Sequence, residues 1–124
     1  VDTNLLVESG RSFLAVLDRE GIKLRAAVWV HNRDTGRWRL WIVPAEEITD
    51  KRLLYRRIAE AIARHRGELP GFDVGDAEFV SPTHPAIKAL GRTFRVEGDS
   101  SVFVSDNMLN GFYLPDGIIL RMAV

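Results

Sequence analysis

Two runs rich in β-branched and aromatic residues dominate the first third of the chain. They are 24–31 (Leu-Arg-Ala-Ala-Val-Trp-Val-His) and 37–43 (Arg-Trp-Arg-Leu-Trp-Ile-Val), joined by Asn32-Arg33-Asp34-Thr35-Gly36. Turn-forming residues between two such runs predict a β-hairpin, with Gly36 free to take a positive φ and Pro44 ending the second strand. Side chains alternate between the two faces of a strand, so register decides which residues meet. With His31 opposite Arg37, one face holds Ala26, Val28, Val30, Trp38, Leu40 and Ile42, all apolar. The other holds Arg25, Ala27, Trp29, His31, Arg37, Arg39, Trp41 and Val43. That register keeps the arginines out of the core. It predicts a core face backed by a second face of interleaved tryptophan and arginine. Trp and Arg dominate interface hot spots, which makes Trp29, Arg37, Arg39 and Trp41 candidate interface residues. The competing expectation is a helix laid over that face, with the arginine heads reaching water.

Pro and Gly punctuate the rest of the chain. Leu5, Leu6, Phe13, Val16 and Leu17 fall near a 3.6-residue period and predict a helix over 4–20, ended by Gly21. Gly10 inside it costs about 1 kcal/mol relative to Ala. Leu54, Ile58, Ala61 and Ile62 form one apolar stripe of a helix over 50–66, capped by Asp50 and ended by Gly67. A short strand is expected at 77–81. A third helix is expected at 84–95, with Thr83 as its cap and Ile87, Leu90 and Phe94 as its stripe. Val102–Ser105, Phe112–Leu114 and Ile118–Met122 read as a closing meander, with turns at Asn110-Gly111 and Pro115-Asp116-Gly117. The order αββαβαβββ predicts an α+β fold, a two-layer sandwich on a mostly antiparallel sheet. At 124 residues the chain is one domain.

Catalytic and cofactor signatures are missing. Cysteine is absent, which removes thiol nucleophiles, disulfides and cysteine-ligated zinc. No phosphate-binding glycine loop, dinucleotide fingerprint or HExxH occurs. His31, His65 and His84 are too far apart in sequence for a helical two-histidine metal site. Gly98-Asp99-Ser100 has no histidine after it to act as a base. His65 reads as a cation at a helix C-terminus and His84 as a helix-start residue. Asp73, Asp76 and Glu78 read as a solvated loop, with too few converging ligands for a cation. No catalytic residue, metal or cofactor is therefore assigned. The segment Val1-Asp2-Thr3-Asn4 has neither the basic nor the apolar region of a secretory signal, so a cytoplasmic chain with no membrane association is expected.

The 17 basic and 17 acidic residues cancel in total but are unevenly placed. Residues 51–66 carry Lys51, Arg52, Arg56, Arg57, Arg64 and Arg66 against Glu60, whereas 67–124 carry four bases and eight acids. Arg52, Arg56, Arg57 and Arg64 share the helix face opposite Leu54 and Ile58. They form a candidate phosphate-binding ridge for nucleic acid, or else a solvated face paired through Glu60.

The run Arg25-Ala26-Ala27-Val28-Trp29-Val30, then Arg37-Trp38-Arg39-Leu40, the Ser81-Pro82 joint and Asn110-Gly111 resemble a group of small bacterial proteins. The resemblance implies a bacterial cytoplasmic protein and carries no activity or catalytic residue with it. The expectation from the residues is a non-catalytic interaction or assembly module, a homodimer or a partner-docking domain working through the tryptophan–arginine face. The alternative is a nucleic-acid-associated protein using the basic helix.

Overall fold

The computed structural model describes residues 2–45 and 50–124. Within them the chain runs α1 (Thr3–Arg19), β1 (Leu24–His31), β2 (Trp38–Pro44), α2 (Lys51–Arg64), β3 (Ala77–Phe79), α3 (Pro85–Thr93), β4 (Val102–Leu109) and β5 (Phe112–Met122). This is an α+β fold on a five-stranded mixed sheet of order β3-β2-β1-β5-β4. Every pairing is antiparallel except the short parallel contact of β3 with β2. Among the described residues, no helix is long and apolar enough to cross a membrane.

The helices start where the sequence offers caps. Asp2 Oδ1 accepts from the Asn4 amide at 2.8 Å, and Asp50 Oδ1 from the Leu53 amide at 3.1 Å. Both satisfy amides that have no partner inside the helix. At α3 the cap is His84 rather than Thr83, its Nδ1 accepting from the Ala86 amide at 3.1 Å. Pro85 then suits the first helical position, where no amide donor is needed.

Helices cover both faces of the sheet. On one face α1 and α2 bury Phe13, Leu17, Ile58 and Ile62 against Ala27, Trp29, Leu40, Ile42, Ile118 and Leu120. On the other, α3 buries Ala86, Ile87 and Leu90 against Ala26, Val28, Trp41, Val43, Ile119 and Met122. The expected two-layer arrangement thus gains a further helical layer, α3. Leu54 and Phe79 are only partly buried at the margin of the first cluster.

The final strand also departs from expectation. Phe112–Leu114 and Ile118–Met122 are one strand, with Pro115-Asp116-Gly117 inside it rather than a turn. Pro115 is tolerated because the ladder to β1 ends with the pair His31–Asp116, so its missing donor interrupts no bond to that neighbour.

Candidate interaction surface

The hairpin register is one residue away from the expected one. His31 pairs with Trp38, Trp29 with Leu40, Val28 with Trp41 and Val30 with Arg39. The turn sets this alignment. The Asn32 amide donates to Arg37 O at 2.8 Å and the Gly36 amide to Asn32 O at 2.8 Å, while Asn32 Oδ1 accepts from the Asp34 amide. Gly36 sits at φ 70°, which a side chain would disfavour. A slip of one residue moves every side chain of one strand to the opposite face.

Trp29 and Trp41 therefore lie on opposite faces, and the predicted tryptophan–arginine face does not form. Trp29 is 3% exposed beneath α1, its indole N–H donating to Leu6 O at 2.8 Å. Trp41 is 9% exposed beneath α3, its ring 5.0 Å from His84 and 5.6 Å from Phe112. Arg37 is exposed at the hairpin turn. Arg39 lies at the β3 side, 3.0 Å from Glu78 Oε1 and 3.4 Å from Ala77 O. The register argument presumed one buried face and one open face. β1 and β2 are central strands, buried on both.

The basic ridge survives in shortened form. Arg52, Arg56 and Arg57 are exposed on α2. Arg64 instead turns to α1, with Nε and Nη2 each 2.9 Å from Glu20 Oε1. His65 bridges two carboxylates, Nε2 3.1 Å from Glu20 Oε1 and Nδ1 3.1 Å from Glu68 Oε2. Arg19 closes the group with a two-pronged contact to Glu68 at 2.7 and 2.8 Å. These five side chains latch the C-terminal end of α1 to that of α2. The Arg64 hydrogen bond holds the Glu20 carboxyl below its ordinary range, and Arg19 does the same for Glu68. His65 adds to both effects against an opposing desolvation.

A depressed carboxylate stabilises the fold fully above its unfolded pKa, and that contribution is lost as pH falls through the folded one. The latch is therefore expected to open below about pH 4.3 and to weaken in salt, because the pairs are exposed. Denaturant midpoints measured from pH 6 to pH 3 should fall less steeply for Glu20→Gln with Glu68→Gln than for the wild type. Parallel acid limbs would assign the acid sensitivity elsewhere.

The two edges of the sheet are treated differently. At β3 the outward Phe79 amide donates to the Tyr55 hydroxyl at 3.2 Å, and the two rings pack edge to face at 4.3 Å. That edge is three residues long, closed by a side chain and flanked by the Arg39–Glu78 ion pair. The opposite edge, β4, is eight residues long, and its only partner among the described residues is β5. A strand at a sheet edge leaves alternate N–H and C=O groups turned outward and unpaired. Proteins usually blunt such an edge with Lys, Pro or a kink. β4 has neither Lys nor Pro. It exposes Phe103 by 58% and Met108 by 67%.

Its one irregularity is Asp106, at φ 55°. Asp106 Oδ1 accepts from the Tyr113 hydroxyl at 2.5 Å, and this bond pushes the phenol pKa up, since only the neutral phenol donates. Arg33, from the β1–β2 turn, sits 5.4 Å from the centre of the Tyr113 ring. The kink thus ends the straight part of β4 after Ser105. The Asn110-Gly111 turn that joins β4 to β5, with φ 52° and 83°, is tied to α3: Asn110 donates to Pro85 O and accepts from Arg92.

No family, no curated protein and no solved structure matches the chain.

Proposed function

We propose that the protein is a non-catalytic interaction module whose working surface is the outer edge of β4, an acceptor for an added extended strand. The carrying observation is the asymmetry of the edges: β3 has its outward amide occupied by Tyr55, while β4 leaves a long apolar edge without charged blockers on its straight part. Main-chain hydrogen bonds would supply affinity, and alternate side chains beside Phe103 and Met108 would supply selectivity. Titratable clusters elsewhere tie elements to one another, as the α1–α2 latch does, and support positioning rather than chemistry.

Selection from a displayed library of random seven-residue peptides tests this reading. Sequences alternating apolar and polar residues should be enriched on the wild type. Their binding should be lost on the double variant Phe103→Lys with Met108→Lys, whose changes fall on exposed side chains and install the usual edge-blocking residue. Peptides that bind the double variant as well as the wild type would place the docking surface elsewhere.

A further inference from the structure

Resting on the strand-acceptor reading, we infer that the strand β4 accepts is β4 of a second copy of this chain, paired antiparallel about a two-fold axis through Phe103. The straight part of the edge, Val102-Phe103-Val104-Ser105, together with the preceding Ser101, reads the same in both directions. In an antiparallel pair centred on Phe103, like therefore meets like. Phe103 faces Phe103 of the second copy, each Val102 faces a Val104, and each Ser101 faces a Ser105. Directly opposed aromatic and β-branched side chains are the favourable cross-strand pairs, and serine hydroxyls opposite one another exchange hydrogen bonds.

The flanks agree with this register. The turn at 97–100, where the Ser100 amide donates to Glu97 O at 3.3 Å, closes the segment on one side of Phe103 and the Asp106 kink closes it on the other, so no two acids are opposed within the pairing. Centring the pair on Val104 instead would set Val102 against Asp106. Centring it on Val102 would set Phe103 against Ser101. Only the Phe103 register is free of apolar–polar mismatches along the whole straight segment.

The faces also fit. Phe103 pairs with Ile118 and so projects on the α1 and α2 side. Val102 pairs with Ile119, and both Val102 and Val104 pack on the α3 cluster. Directly opposed residues in an antiparallel pair share a face, so the two-fold axis stands perpendicular to the sheet. It makes one continuous ten-stranded sheet with equivalent helices on the same side. The left-handed kink at Asp106 limits the pairing to this short segment, and the pairing consumes the open edge of both copies. The association therefore stops at two and does not run on into fibres. A contact of this length is small, under about 1,200 Å², which makes it concentration-dependent.

Sedimentation or light scattering over a micromolar-to-millimolar series tests the inference with three samples. The wild type should pass from monomer to dimer. Phe103→Lys and Phe103→Glu, each alone, should bind themselves about tenfold more weakly or worse, because like charges meet on the axis. An equimolar mixture of the two should recover a dimer of mixed composition, since Lys then faces Glu. That recovery is specific to a two-fold axis at Phe103, and it also shows that both variants are folded. A wild type that stays monomeric at millimolar concentration overturns the second copy as occupant. The peptide selection above would still report on the edge itself. Single variants that dimerise like the wild type, or a mixture that does not recover, overturn the placement of the axis.

Discussion

Gly10→Ala is expected to destabilise the protein, by about 1–3 kcal/mol, and Gly10→Val by more. An ordinary glycine in the middle of a helix gains about 1 kcal/mol on replacement by alanine, so the sign of the effect is the test. The physical reason is how closely α1 approaches the sheet. A Cβ at Gly10 would collide with Leu120 Cδ1 and lie 2.8 Å from Trp29 Nε1. Leu120 Cδ1 is the far end of a flexible side chain, though a buried one. Trp29 does not move freely: its indole N–H is bonded to Leu6 O one turn earlier in the same helix, and its ring meets Phe72 edge-on at 6.1 Å. A side chain at position 10 would push α1 off the sheet and stretch that hydrogen bond. Denaturant titration reads the difference directly. A stabilised Gly10→Ala would mean that the helix crosses Trp29 with room for a Cβ.

Trp41→Ala should cost about 3–5 kcal/mol, as truncation of a buried tryptophan does. Trp41 is the largest side chain beneath α3 and touches both His84, which caps that helix, and Phe112 of β5. Its removal leaves a cavity between the cap and the sheet and withdraws the contact that holds the start of α3 in place. The loss should appear in the unfolding of the monomer far more than in self-association, because β1 and β5 lie between the strand of Trp41 and the β4 edge. A loss below about 1 kcal/mol, or a variant that is stable but no longer associates, would return Trp41 to the role of an interface residue.

Those two tryptophans also show where sequence reasoning stops. The hairpin was legible because Asn32 and Gly36 supply local turn chemistry, and the helices because Asp50 and the Ile58–Ile62 stripe act within a few residues. The α+β class follows from those local signals. The register of β1 against β2 was not legible. Amphipathic alternation fixes register only when one face is polar, and here Val28, Trp41 and Val43 are as buried as Trp29, Leu40 and Ile42. Gly10 read as a blemish in a helix, because its purpose lies in Trp29 and Leu120, far along the chain. The shortening of the basic ridge depends likewise on Glu20, which reaches Arg64 only once α1 and α2 are side by side.

The β4 edge was half legible. The absence of Lys, Arg and Pro from 100–105 and the palindrome about Phe103 are plain in the sequence. Neither means anything until strand order places β4 at the margin. Strand order is set by non-local pairing: β5 inserts between β1 and β4, although β4 and β5 follow one another and β1 lies far upstream. Phe103 and Met108 carried no signal by themselves, since isolated exposed apolar residues are ordinary on protein surfaces.

Amide hydrogen exchange across a dilution series, followed residue by residue, addresses the edge most directly. The amides of 102–105 that point away from β5 should exchange slowly at millimolar concentration and become rapidly exchanging on dilution. The Phe79 amide, already bonded to Tyr55, should exchange at the same rate throughout. Exchange in β4 that is independent of concentration would contradict β4 as the surface on which two copies meet, and a concentration-dependent change confined to α2 or β3 would place that surface elsewhere.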